Sequence, residues 1–217
     1  MFTFRPEKPL ALWNAGLALF SILGTWVTGS EMIEVLSTKG FYDSVCNNSY
    51  ISNNWVYFWF WLWTWSKLAE FGDTAFLVLR KKPLTFLHVY HHSLTAFVAF
   101  YFWHAGLPIN RWCITMNFFV HSLMYTYFSL TAYGVKIPKP FAIIITLTQI
   151  IQMIIGCVTS SYVIYTMVMR IQCVSSTPHN IGCFLTYVSY AILFIHMFQS
   201  KYLRKSKKTK PNSEKIE

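Results

Sequence analysis

Six long apolar stretches separated by polar ones set the pattern of the chain: Leu10–Thr28, Trp55–Leu79, Phe86–Trp103, Cys113–Tyr133, Phe141–Met169 and Cys183–Ser200. Each is near or above the roughly 18 residues that carry a helix across about 30 Å of hydrocarbon. The pattern predicts an all-α, polytopic membrane helix bundle with six spans, forming a single membrane domain over residues 1–203. The second stretch is the least regular, because Lys67, Glu70 and Asp73 interrupt it. Between the spans the sequence predicts a polar loop over Gly29–Asn54, a tight turn over Ala105–Trp112, a proline-based turn over Gly134–Pro140 and a second large loop over Met169–Gly182.

Composition supports this reading: 54% of residues are hydrophobic and only 12% charged, against about 25% charged in average soluble domains. A net charge of +10 invites a nucleic-acid partner, but the basic residues are placed for topology instead. Arg5, Lys8, Arg80, Lys81, Lys82, Lys136, Lys139 and seven in the tail from Lys201 to Lys215 share one side, fourteen of the 18 lysines and arginines. An excess of this kind marks the cytosolic face, so both termini are expected there, with residues 204–217 as a disordered basic cytosolic tail. Met1–Pro9 and the run after it show no cleavable signal peptide.

Cys46 and Cys173 fall in the two larger loops on the opposite face, where an oxidising lumen permits a disulfide; two unpaired loop thiols are the other reading. Asn47-Asn48-Ser49 in the same loop is a glycosylation sequon on Asn47.

The polar residues inside the spans carry the chemistry. His88, His91 and His92 stand at i, i+3 and i+4, a spacing that projects all three from one helix face. Ionisable groups at such depth are costly and normally look into the protein. Lys67, Glu70 and Asp73 follow at steps of three, either as a Lys67–Glu70 pair that ties helices together or as a polar wall for a substrate. Asn117 and His121 are one turn apart, with Met124 and Tyr125 continuing their face, and Gln149 and Gln152 lie three apart beyond Thr148. At 1.5 Å per residue, the histidine box lies roughly 3–9 Å below the cytosolic face, Glu70 and Asp73 roughly 9–14 Å, the glutamines roughly 12–17 Å and His121 roughly 18 Å. Four helices thus place polar groups in one half of the bilayer, which predicts a single chamber open to the cytosol. Cys157, at roughly 24 Å, is too deep to share it.

Clustered imidazoles serve as metal ligands, general bases or nucleophiles. A di-iron oxygenase site needs many more histidines, whereas a zinc site from His88, His92 and His121 is arithmetically open. A transporter would spread polar residues over all depths. The order Lys67-Leu-Ala-Glu70-Phe-Gly-Asp73-Thr74, Leu79-Arg80-Lys81-Lys82, His88-Val-Tyr-His91-His92, Asn117 with His121, Met124 and Tyr125, and Thr148-Gln149 with Gln152 resembles the very-long-chain fatty-acid elongase (ELO) family from about residue 6 to 203.

That resemblance implies an endoplasmic-reticulum acyltransferase, a 3-oxoacyl-CoA synthase that condenses a fatty acyl-CoA with malonyl-CoA and uses no metal or other cofactor. It implies His91 as the nucleophile that carries the acyl group as an acyl-imidazole. His88, His92 and His121 would orient it and stabilise the enolate, and Asn117 and Gln149 would donate to developing oxyanions. Lys67, Glu70, Asp73, Tyr125 and Gln152 join the substrate-binding set, and Arg80, Lys81 and Lys82 would hold CoA phosphates. The implied partners are the lipid bilayer and the 3-oxoacyl-CoA reductase, dehydratase and enoyl-CoA reductase of the elongation cycle; a homodimer is compatible, and no nucleic acid is expected. The family usually has seven spans and this chain shows six, so the expected missing span is the one that would precede Leu10. Pro83 stands where elongases of polyunsaturated chains often carry Gln. With Thr115-Met116-Asn117, this places the resemblance nearer the branch acting on saturated and monounsaturated chains such as palmitoyl-CoA.

Overall fold

The computed structural model describes residues 7–103 and 105–203, and every regular element among them is helical. Arg5, His104 and the basic tail 204–217 lie outside the described residues. In chain order the helices are α1 (Glu7–Thr38), α2 (Gly40–Cys46), α3 (Asn54–Ala69), α4 (Phe71–Leu79), α5 (Phe86–Trp103), α6 (Asn110–Ala132), α7 (Lys139–Val168) and α8 (Thr177–Phe198). A 3₁₀ turn, Ser49–Ser52, links α2 to α3, and a wider turn, Gln199–Leu203, continues α8. The helices α1 and α7, and α8 with its extension, are long and apolar enough to cross a membrane. The buried polar side chains of the interior come mainly from α1 (Asn14, Glu31), α3 and the residue after it (Lys67, Glu70), α6 (Asn117, His121) and α7 (Gln152, Ser160). The molecule is a polytopic membrane helix bundle.

Three boundaries differ from the sequence reading, each for a local reason. The apolar run ends near Thr28, but helix-compatible residues (Glu31, Met32, Glu34, Leu36) carry α1 on to Thr38. It stops only at Lys39 and Gly40, where Gly40 takes φ +83°. Most of the expected loop over 29–54 is therefore helical. The expected second span is two helices, because the winding changes at Glu70: its N–H bonds the Ser66 carbonyl at 2.8 Å, while its own carbonyl accepts from Asp73 three residues on at 3.1 Å. The loop expected to reach Gly182 ends at Ser176, since Pro178 sits in the first turn of α8, a position that needs no N–H.

Helix α1 packs mainly on α6, and α7 on α8, while α5 touches α3 on one side and α8 on the other. Both main pairs come close because one partner offers glycine: a Cβ at Gly24 would overlap the Phe118 ring, and one at Gly156 the Tyr187 ring. Small residues that let backbones approach are the usual basis of helix association in lipid. Two apolar clusters result, one centred on α7 and α8 (Met153, Tyr187, Phe194) and one on α3 and α6 (Phe60, Trp63, Phe118).

One end of the bundle, the disulfide end, is closed covalently and by a buried ion pair; the opposite, basic end bears Arg80. Cys46 and Cys173 form a disulfide (S–S 2.13 Å), and the Val174 N–H bonds the Cys46 carbonyl at 3.0 Å. The Tyr42 hydroxyl donates to the Gln172 carbonyl nearby. Arg111, fully buried at the start of α6, donates to both Glu31 oxygens, to the Ser44 and Asn47 carbonyls and to Ser49 Oγ, so α1, α2 and the following turn hang on one guanidinium. The Asn47 residue itself is exposed. The Tyr50 hydroxyl donates to the Leu107 carbonyl at 2.9 Å; burial pushes its pKa above the ordinary phenol value, so it stays a donor.

Candidate active site

The histidine box occupies the first two turns of α5, immediately after the irregular segment at Pro83. His88 and His92 pack with ring centroids 4.3 Å apart, tilted by 38°, as neighbours four apart on a helix can, and both look toward α4. There His88 Nε2 meets Thr74 Oγ1 at 2.8 Å, and His92 lies 6.4 Å from the Phe71 ring. His91, its ring 5.5 Å from that of His92, sits on the α8 side of the same face, 4.9 Å from Tyr190 and 6.0 Å from Phe194. The Tyr190 hydroxyl donates to the His91 carbonyl at 3.2 Å and pairs with Thr95 Oγ1 at 2.7 Å, which fastens this turn of α5 to α8.

All three imidazoles reach one cavity of about 610 Å³ at the basic end. Its wall also carries Asp73, Arg80, Asn117, His121, Tyr125, Gln149 and Gln152. A second, narrow and mostly apolar cavity of about 80 Å³ runs from the same level toward the disulfide end, past Thr95, Ala99, Cys113 and Cys183 to Leu107, Ile109 and His179. His91, Asn117, Gln152 and Met153 line both, so they form the neck between a wide, partly polar chamber and a greasy slot.

Behind the wall stands a buried polar network that links α3 to α6. Lys67 Nζ donates to Glu70 Oε1 at 2.6 Å and to Asn117 Oδ1 at 2.8 Å. The Trp63 indole N–H donates to that same Asn117 oxygen at 2.7 Å, and its ring lies 4.7 Å from the Lys67 ammonium. Asn117 Nδ2 faces His121 Nε2 at 3.1 Å, and His121 Nδ1 lies 3.5 Å from Glu70 Oε1. A second knot ties α1, α4 and α6: Asp73 accepts from Trp13 Nε1 and from the Tyr125 hydroxyl, each at 2.8 Å. With charges and amides matched in this way, a membrane interior tolerates the group, which unpaired would cost about 3 kcal/mol or more.

The sequence-derived residues thus divide. His88, His91, His92, Asn117, His121, Asp73, Tyr125, Gln149, Gln152 and Arg80 share the wide cavity. Lys67 and Glu70 do not line it; they sit one layer back, 2% and 4% exposed, and hold Asn117 and His121. Lys81 and Lys82 are exposed beside the mouth rather than on the wall, Lys81 at φ +52°. Gln149 Nε2 is directed at Met124 Sδ, 3.4 Å away. Trp13, Trp63 and Tyr190 do not stand out in the sequence, and Thr74 does so only as the neighbour of Asp73 in the motif. For Trp63 a signal existed, since it stands four residues before Lys67 and therefore on the same helix face. Among the described residues no three histidine, cysteine or carboxylate side chains are gathered as a metal-ligand group.

Comparison with known proteins gives the family. The chain is 40% identical to the human very long chain fatty acid elongase 6 over 206 residues, 95% of this chain and 77% of that protein. It is 41% identical to the human very long chain fatty acid elongase 3 over 213 residues, 97% of this chain and 78% of that one. The Drosophila melanogaster very long chain fatty acid elongase 6 is 41% identical over 205 residues, covering 92% and 64%. The ELO family pattern (GNS1/SUR4 family) matches residues 2–210, nearly the whole sequence, and the chain belongs to that family.

Proposed function

We propose that this chain, an acyltransferase of fatty-acid elongation, condenses a long-chain acyl-CoA with malonyl-CoA through an acyl-imidazole on His91. One observation carries the reading: His91 stands at the neck where the wide chamber meets the narrow apolar slot. An acyl thioester needs such a boundary, with its polar carrier on one side, its tail on the other and its carbonyl between. Arg80 on the chamber wall suits the CoA phosphates, with Lys81 and Lys82 outside it as further cations.

In the first half-reaction an imidazole nitrogen of His91 attacks the thioester carbonyl. The C–S bond breaks, CoA leaves as the thiolate, and the ring loses a proton to give the neutral acyl-imidazole. In the second, the bond from malonyl C2 to its carboxylate breaks, CO2 departs, and the resulting enolate attacks the acyl carbon while imidazole leaves. The sum takes up one proton and yields 3-oxoacyl-CoA, CO2 and CoA. Asn117 and Gln152, at the same neck, would donate to the oxyanions, where a preorganised donor in a dry site contributes most. His88, paired with Thr74 and packed against His92, would face the malonyl thioester. This scheme calls on no metal.

The saturated and monounsaturated class, palmitoyl-CoA in particular, is the substrate proposed, on the strength of Pro83 and of the similarity to elongases 6 and 3. The proposed setting is the endoplasmic reticulum membrane with the basic end cytosolic, beside the reductases and dehydratase that would complete each cycle. The test is intact-mass analysis of the purified protein after palmitoyl-CoA alone. A mass increase of one palmitoyl group is expected, lost in His91→Ala and discharged by malonyl-CoA as 3-oxostearoyl-CoA. An adduct that survives His91→Ala removes His91 as the nucleophile.

A further inference from the structure

We propose that Trp63 is a positioning residue for the reaction, acting through Asn117 by deciding which end of that amide meets the substrate. The two ends of an asparagine side chain have nearly the same shape, so their partners alone fix the orientation. Here Asn117 Oδ1 accepts from the Trp63 indole N–H at 2.7 Å and from the Lys67 ammonium at 2.8 Å. Both are donor-only groups. A flipped amide would turn its NH2 against two donors, one of them charged, in a buried site.

The consequence passes on to His121. With Oδ1 occupied, Asn117 Nδ2 is the group 3.1 Å from His121 Nε2, and it can only donate. Nε2 is then the acceptor, so the neutral ring carries its proton on Nδ1, the nitrogen facing Glu70 Oε1 at 3.5 Å. One Asn117 N–H is used by His121; the other has no partner among the described hydrogen bonds. Because Asn117 lines both cavities beside His91, this remaining N–H is the donor available to a carbonyl oxygen held at the neck. His121, with both ring nitrogens engaged, acts on the reaction through Asn117 as well.

Trp63 is set apart from its neighbour one turn away. Trp59 is equally buried, yet its Nε1 has no hydrogen-bond partner among the described residues, and its ring packs against Phe20 and Phe118. Trp59 fills space; Trp63 aims a proton. The substitution Trp63→Phe keeps a ring face for Lys67, which the Trp63 indole meets at 4.7 Å, and removes the N–H.

The inference rests on the condensation reading, and steady-state kinetics of the detergent-solubilised chain with palmitoyl-CoA and malonyl-CoA test the two separately. Trp63→Phe is expected to lower kcat about tenfold with KM for both substrates within about twofold, less than the loss for a donor that touches the oxyanion itself. In an Asn117→Ala background the same substitution is expected to cost nothing further, because the amide it orients is gone. Trp63→Tyr, read through the same cycle, serves where Trp63→Phe yields no folded protein. Where the wild type condenses, an unchanged kcat in Trp63→Phe, or losses that simply multiply in the double variant, overturns the positioning role alone. A wild type that makes no 3-oxoacyl-CoA overturns the condensation reading and this inference with it.

Discussion

Lys67 and Glu70 illustrate what an ionised side chain requires inside a bilayer helix. The pair is 2.6 Å apart and nearly sealed, and each member also engages a neighbour on α6, Lys67 binding Asn117 and Glu70 facing His121. Removing one partner of such a pair leaves the other charge uncompensated, so Lys67→Met should destabilise the chain by about 3–5 kcal/mol. Replacing both, as Lys67→Met with Glu70→Leu, should recover most of that stability, since an apolar pair of similar volume costs little there. Condensing activity should not return with it, because Asn117 would have lost one of its two oxygen donors. Thermal unfolding in detergent, run beside the activity assay, checks both statements; a Lys67→Met chain as stable as wild type would mean that the pair does not hold the helices. The residues of this network were unevenly legible in the sequence. The histidines, Asn117 and the glutamines announce themselves, because polar groups in an apolar run have few reasons to be there. Trp13 and Trp63 do not, because indoles are ordinary membrane residues and only the fold reveals that their N–H groups point at Asp73 and Asn117.

Among the helices, hydropathy located the spans well and their ends poorly. An apolar run stops where lipid contact stops, whereas a helix continues until the backbone is forced out, so α1 extends ten residues past Thr28, to the break at Lys39 and Gly40. That extension carries Glu31 to Arg111, which is how the disulfide end comes to be knitted to α6. The second span read as irregular around Lys67, Glu70 and Asp73, but the break at Glu70 could not be placed: no proline or unusual backbone angle marks it, only a change in hydrogen bonding within a continuous coil. The cysteine pairing was open in the sequence and became definite once α2 and the segment before α8 were placed side by side. The Cys46–Cys173 bond joins points 127 residues apart, so its loss should release a large loop. Cys46→Ser with Cys173→Ser should lower stability by about 2–4 kcal/mol. The histidine site lies at the far end of the bundle, so acylation by palmitoyl-CoA at low temperature should stay within about twofold of wild type, the independence expected of distant sites. Thermal unfolding and intact-mass acylation of the same preparation measure the two effects.

For the molecule taken as one body, the depth of polar residues in four separate spans pointed to a shared chamber, and the helices bring all of them but Glu70 to one wall. An apolar interior behind that level was expected to hold the acyl tail, but its course was not legible, because the lining of Thr95, Ala99, Cys113 and Cys183 reads as ordinary helix packing. At about 80 Å³ the slot is narrow, and a chain entering it must press against the thiols of Cys113 and Cys183, which lie 3.8 Å apart across α6 and α8. Interiors packed this closely resist added volume, so a bulky group at that level should stop a tail rather than bend around it. Cys183→Phe should therefore leave acylation by octanoyl-CoA nearly unchanged and slow acylation by palmitoyl-CoA about tenfold or more, a discrimination of the size a hydrophobic pocket gives for several methylenes. Rates of adduct formation with the two thioesters, measured on one folded variant, separate a blocked tail from a damaged nucleophile: the first spares the short chain, and the second slows both equally. Palmitoyl-CoA acylation as fast as in the wild type would place the tail elsewhere than in the slot and would leave the neck at His91 without its apolar side.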